Sequence, residues 1–201
     1  MDIYNTILKR RSIRNFKSRR VSVKELKCMV NAARLAPSTA NTQTLEFMII
    51  SSKHLCDKLF RHLKWAGYIA PLGGPKQGCE PTAYIIILVN KKKITNSVLN
   101  VAKDISVVGR DVGAATMSII LYAESKGIAS CWLGAIDKPG IKKTFSIPKN
   151  LEVDSVVALG YPKMASKVAK FKGSVKYYLD GKGTLHVPKR PLKDVLHINR
   201  I

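Results

Sequence analysis

Apolar residues return along the first third of the chain at the intervals of helices that bury one side. Asp2 to Leu8 carries Ile3, Ile7 and Leu8 at helical spacing. A second helix opens at Ser22, where SVKE pairs a capping hydroxyl with Glu25 at the third helical position. Val23, Leu26, Met29, Val30 and Ala33 then form one stripe, while Lys24, Lys27, Asn31 and Arg34 face water. This helix runs to about Leu35 and is stopped by Pro37, which lacks an amide hydrogen and pushes Ala36 out of helical geometry. LEFMIIS, residues 45–51, reads as a strand, and DKLFRHLKWAGYI, residues 57–69, as a helix broken by APLGGPKQG. That glycine and proline loop, residues 71–81, is the candidate lid or surface excursion.

AYIIILV, residues 83–89, is apolar on both faces and predicts a fully covered strand, with Lys91 to Lys93 placing solvated charge at its exit. Residues 105–126 give the longest helical pattern. Ile105, Val108, Val112, Ala115, Ile119 and Tyr122 share one face, and Gly113, Ala114, Met117, Ile120 and Leu121 fill much of the other. A helix apolar on two sides is either central to a large core or meets its copy in a second subunit. IASCWLG, residues 128–134, and LEVDSVVALGYP, residues 151–162, complete a set of helices around a mixed sheet. The ending VPKRPLKDVLHINRI reads as a basic and apolar arm docked on another surface.

Composition narrows the partners. The chain has 201 residues, enough for one domain over 1–201, and 35 basic against 13 acidic residues give a formal charge of +22. Such a field attracts nucleic acid, anionic membrane or phosphorylated small molecules. The lysines are scattered, with no recognition helix and no basic stripe interleaved with aromatics, so a basic nucleic-acid-binding protein without enzymatic activity is the runner-up reading. No apolar run is long enough to span a bilayer and the first residues lack a secretory pattern, which predicts a cytoplasmic protein. Cys28, Cys56, Cys79 and Cys131 fit neither a metal knuckle nor a CxxC loop and read as unpaired thiols. His54 and His62 are eight apart, but without a metal-binding signature they read as surface residues. G-x-S-x-G, H-E-x-x-H and P-loop patterns are absent. No catalytic side chain is indicated, so a non-protein cofactor is expected to supply the chemistry.

Two polar clusters could hold it. RRSIRNF, residues 10–16, packs three arginines into five positions, a density that calls for an anion or for water. APSTANTQ, residues 36–43, lies between a helix and a strand and offers hydroxyls and carboxamides suited to a planar heterocycle, or to capping its own turn.

RRSIR (10–14), PSTANTQ (37–43), DVGAATMSIILYAESKGIASCWLG (111–134) and KRPLKDVLH (189–197) resemble, in order and spacing, the FMN-dependent nitroreductase family. The resemblance covers nearly the whole chain. It implies an α+β fold with a central mixed, mainly antiparallel sheet flanked by helices. It further implies a homodimer with an intersubunit C-terminal arm, two FMN sites at the interface, and NADH or NADPH as electron donor. By that likeness Arg10, Arg11 and Ser12 hold the phosphate or ribityl chain, and Arg14 lies toward the pyrimidine side. Pro37, Ser38, Thr39 and Asn41 reach the ring from the other subunit, and Gln43 contacts it or bridges to Arg14. Leu133 and Gly134 bring backbone near the flavin N5, Leu133 standing where many relatives carry an acidic residue. Lys189 or Arg190 closes on the phosphate, and Trp65, Tyr68 and the 71–81 loop wall the substrate side. The implied acceptor is a nitroaromatic, a quinone or a similar small molecule, with a reductive dehalogenase or another specialised flavin reaction as the alternative within the fold.

Overall fold

The structure, a computed structural model, describes residues 2–70, 72–94 and 106–199. Pro71, Ile105 and the last two residues of the expected arm therefore lie outside the described residues.

The apolar run at 83–89 is the middle of the molecule. It forms β2 (Ala83–Asn90), which pairs antiparallel with β1 (Leu45–Ile50) on one side and with β4 (Leu151–Gly160) on the other. β3 (Ala129–Leu133) pairs antiparallel with β4, giving the order β1-β2-β4-β3. Successive side chains of a strand point to opposite faces, so one apolar run feeds two cores. Ile85 and Ile87 meet Leu26, Met29, Ala115 and Ile119 on one face. Tyr84 and Ile86 meet Cys56, Leu59 and Ile141 on the other. Each fully buried isoleucine contributes about 1.5–3 kcal/mol of transfer free energy, and the Tyr84 hydroxyl is the one polar side-chain group of β2 before Asn90.

The first face is covered by α2 (Val23–Arg34) and α4 (Ser106–Ser125), the second by α3 (Lys53–Phe60) and α5 (Lys138–Thr144). The Ser22 side chain caps α2 by accepting from the Glu25 amide at 3.2 Å. Val23 is half-exposed rather than part of the buried stripe. Val21, just before the cap, is buried with Leu26 in its place, the pairing that fixes a chain's entry into a helix. α4 buries Val112, Ala115, Ile119, Ile120 and Ala123 and leaves Met117 partly exposed. It ends at Gly127, whose φ of 68° lets its amide reach Glu124 O and the Ile128 amide reach Ala123 O, turning the chain directly into β3.

The helix expected over 57–69 is instead α3, which begins earlier, capped by Ser52, and stops at Phe60. The stop is tertiary: Lys64 N donates to Ala135 O, Asp137 N donates to His62 O, and Leu63 bridges Ile136. The apolar spacing of Leu63 and Trp65 serves an extended return rather than a further helical turn.

Past Gly160 the chain makes a second, three-stranded sheet that the hydrophobic pattern does not announce. β5 (Ser166–Lys170) runs parallel to β7 (Leu185–Lys189), and β6 (Tyr178–Leu179) is antiparallel to it. Among the described residues the only parallel pairings are this one and the Ser12–Ser130 bridge. α1 (Ile3–Lys9) stays apolar on a face that nothing in the single chain covers, with Ile3, Tyr4, Ile7 and Leu8 exposed. Leu192, Val195, Leu196 and Ile198 in the terminal segment are exposed as well.

Candidate functional site

RRSIRNF leaves α1 as an extended segment laid along the free edge of β3. Ile13 N donates to Ser130 O at 2.9 Å, Phe16 N to Cys79 O at 2.9 Å and Lys17 N to Tyr161 O at 2.7 Å. Ile13 and Phe16 are buried, Phe16 completely, so two apolar anchors fix the segment, with Arg14 between them and Arg10 and Arg11 just before Ile13. Arg11 lines a cavity of about 220 Å³ with Ile13, Glu124 and Met164. Burial, then the neighbouring Arg10, push the Arg11 pKa down, with Glu124 acting against them. Burial likewise raises the Glu124 carboxyl, and Arg10, Arg11 and Lys9 pull it back. Arg14 turns elsewhere: its guanidinium lies 5.0 Å from the centre of the Tyr177 ring, which in turn packs on Tyr68 at 5.2 Å. Burial raises the thiol of Cys131 on β3, and Arg14 and then Arg10 act in the opposite direction.

The second cluster is a strained loop held by one carboxylate. Pro37 and Ser38 lead into a short helical turn, Thr39–Asn41, in which Ala40 and Asn41 have φ of 48° and 52°, followed by Gln43 at 48°. Non-glycine residues enter this left-handed region at a cost of about 1–2 kcal/mol each, less for asparagine. Asp111, buried on α4, holds the turn by accepting from both Thr39 N at 3.0 Å and Thr39 Oγ1 at 3.1 Å. The Gln43 amide donates to Ser38 Oγ at 3.1 Å, and its side chain donates to Asn41 Oδ1 at 3.3 Å rather than reaching Arg14. Asn41 and Gln43 remain exposed at the rim.

The single chain does not bring these clusters together. Asp111 ties the second cluster to one end of α4, whereas Glu124 faces Arg11 from the other end. Thirteen residues of helix separate them, roughly 20 Å. At the end of β3, Leu133 is buried in the core while Gly134 is exposed, with nothing within 4 Å of where a β-carbon would project. Lys189 ends β7 beside Lys170, and Arg190 donates to Asp194 O; both are exposed. Asp111 and Tyr177 were not singled out by spacing. A lone carboxylate at the head of the apolar stretch DVGAATMSII is the signal that marks Asp111.

The side chains present suit an anion with further acceptor atoms. Arg11 Nε and Arg14 Nε and Nη1 are buried with no acceptor among the described residues. Buried donors are almost always satisfied, so three orphaned guanidinium nitrogens in one segment mark where a ligand's oxygens or nitrogens belong.

A two-core antiparallel sheet with an arginine-rich edge segment and a polar turn at the far end of a central helix defines an α+β protein built for an anionic cofactor. The chain matches the family model of the nitroreductase family over residues 7–161 and belongs to that family. It is 31% identical over 161 residues, 78% of this chain and 83% of the relative, to a candidate NADH dehydrogenase/NAD(P)H nitroreductase of Archaeoglobus fulgidus. Among solved structures it is similar to a nitroreductase family protein of Clostridium novyi NT, with a TM-score of 0.67 and 25% identity over 81% of this chain and 86% of the other. A candidate nitroreductase of Desulfovibrio desulfuricans, solved in complex with FMN, shares the fold with a TM-score of 0.64 at 20% identity, covering 100% of this chain and 98% of that one. The family match ends at residue 161, so the second sheet lies beyond it.

Proposed function

We propose that this chain is an FMN-dependent oxidoreductase that passes two electrons from NADH or NADPH to a nitroaromatic, a quinone or a similar small acceptor. It does so as one cofactor-binding domain over residues 1–201, and no described helix is long and apolar enough to cross a membrane. The observation that carries the reading is the set of orphaned, buried guanidinium nitrogens of Arg11 and Arg14. When bound, the flavin supplies the two-electron chemistry; the chain supplies binding and orientation. Arg10, Arg11 and Ser12 hold the phosphate, because the guanidinium fork binds two of its oxygens at once. Arg14 would lie toward the pyrimidine side, where a fixed positive charge would favour the reduced cofactor. Leu133 and Gly134 would present backbone to the ring, and Lys189 or Arg190 would close on the phosphate.

Pro37, Ser38, Thr39, Asn41 and Gln43 serve the site of a second copy. The roughly 20 Å of helix between the clusters supports this, since no single FMN ring is contacted from both ends of α4 of one chain. The exposed apolar faces of α1 and of residues 192–198 support a homodimer for the same reason that large apolar patches mark interfaces generally.

The test is titration of flavin-free protein with FMN, FAD and riboflavin, followed by anaerobic bleaching with NADH and NADPH. FMN is expected to bind best, because the arginines recognise a terminal phosphate and no G-x-G-x-x-G loop cradles a pyrophosphate. Arg10→Ala removes a charge-assisted contact of about 1.5–3 kcal/mol, a roughly 10- to 150-fold loss of FMN affinity with little effect on riboflavin. Equal affinity for FMN and riboflavin in the unaltered protein refutes the phosphate role.

A further inference from the structure

On the side of the arginine segment away from Glu124, a cleft of about 770 Å³ opens between Ile69, the 72–79 stretch, the Lys163–Ala165 stretch and the turn 179–185. Its volume is that of a small-molecule site. Arg14 forms part of its wall, and three further cations, Lys76, Lys163 and Lys182, line it. None of the three lysines forms an ion pair among the described residues. The cleft has one lining carboxylate, Asp180, and that group is already engaged. It accepts from the Lys182 and Thr184 amides at 2.9 and 2.8 Å and lies 2.9 Å from His186 Nε2. A carboxylate so occupied is not available to accept from a ribose hydroxyl, which is how acidic residues select an unphosphorylated dinucleotide. The balance in the cleft is three unpaired lysines, beside Arg14, against one carboxylate that is already engaged.

The walls are fixed independently of any ligand. Lys76 N donates to Asn15 Oδ1 at 2.7 Å and Lys163 N donates to Asn15 O at 2.9 Å, so one side chain and its backbone hold both lysine-bearing segments beside Arg14. Asn15 is thus a positioning residue. The Pro71–Pro81 loop, expected as a lid or excursion, is tied down in its second half by this contact and by the buried Cys79.

We propose that this cleft is an anion subsite for the co-substrate, and that the group it takes is the 2′-phosphate of NADPH, giving the protein a preference for NADPH over NADH. The inference rests on the flavin reading only in naming the ligand as an electron donor. An anionic group on the acceptor is the other source of the same chemistry.

Holoprotein of confirmed FMN content is titrated calorimetrically with adenosine 2′,5′-bisphosphate and with AMP, unaltered and as K76M/K163M/K182M. The unaltered protein is expected to bind the bisphosphate about tenfold more tightly, and the triple variant to lose most of that preference, as expected for several partly exposed charges acting together. The ratio of the second-order rate constants for bleaching by NADPH and by NADH falls by a similar factor, and in the unaltered protein it falls with added salt. Suppose instead that bisphosphate and AMP bind alike, while reoxidation by a naphthoquinone sulfonate relative to its uncharged parent drops about tenfold in the variant. The anion then belongs to the acceptor and the NADPH assignment is overturned. No change in either ratio overturns the subsite altogether. Protein that takes up no FMN overturns the flavin reading instead, and the bisphosphate titration on that flavin-free protein still decides the cleft.

Discussion

Replacing Asp111 with alanine isolates what the α4 carboxylate does for the polar turn. Its Oδ1 accepts two hydrogen bonds from Thr39, from the amide and from the hydroxyl. Bonds to an ionised acceptor are worth about 1.5–3 kcal/mol each, but Thr39 is only half-buried, so water recovers part of the loss. A net cost of about 2–4 kcal/mol follows, or a fall in Tm of roughly 4–16 °C for a chain of this size. The turn holds Ala40, Asn41 and Gln43 in the left-handed region, a strain of roughly 3 kcal/mol in all. That strain matches what Thr39 and Asp111 contribute together, so without the carboxylate the turn relaxes. Flavin titration with parallel thermal melts reads both effects. FMN and riboflavin affinities are expected to fall by the same factor, at least about tenfold, since the phosphate contacts come from the other cluster. A lower Tm with unchanged affinity for both ligands would refute the idea that this turn touches the ring. A loss confined to FMN would place the turn at the phosphate instead.

Two further outcomes follow from close contacts. A β-carbon on Gly160 would stand 2.8 Å from the Phe16 ring, which is fully buried and has nowhere to move, so Gly160→Ala should cost about 1–3 kcal/mol by overpacking and dislodge the arginine segment. Lower Tm together with reduced FMN content checks this, and normal content would show that the segment does not depend on its Phe16 anchor. Asp137 has its pKa held below the usual carboxylate value by the Gly140 amide and then by His62, which also lies 2.9 Å from Thr144 Oγ1. A depressed folded-state pKa stabilises fully above the unfolded value, about pH 4, and the contribution disappears as pH falls through the folded value. Urea midpoints of Asp137→Asn should therefore lie below those of the unaltered protein at pH 6 and converge with them as the pH falls through the folded-state value of Asp137. A gap that persists in acid would contradict this.

How much could be read in the sequence depended on whether a residue's partner was near it along the chain. Ser22 and Glu25 form a cap within three residues, and Ala83 to Val89 is buried whatever packs on it; both were legible. The end of α3 was not, because His62, Leu63 and Lys64 are claimed by residues 135–137, more than 70 positions away. β5 and β7 are half-polar strands, SKVAK and LHVPK, whose alternation is too weak to register without their partners in view. RRSIR and PSTANTQ stood out by residue type. What spacing could not disclose is that Arg11 faces Glu124 while Arg14 faces Tyr177, or that Asp111 organises the turn.

The length of α4 has a genetic consequence. If each site draws its arginines from one chain and its polar turn from the other, a chain with a ruined arginine segment still carries a sound turn, and the converse holds. Two such defective alleles expressed together would form mixed dimers in which one site inherits both faults and the other inherits neither. Half of the sites in those dimers would work, so complementation between the two alleles would succeed where each alone fails, whereas two alleles damaged in the same cluster would never rescue one another.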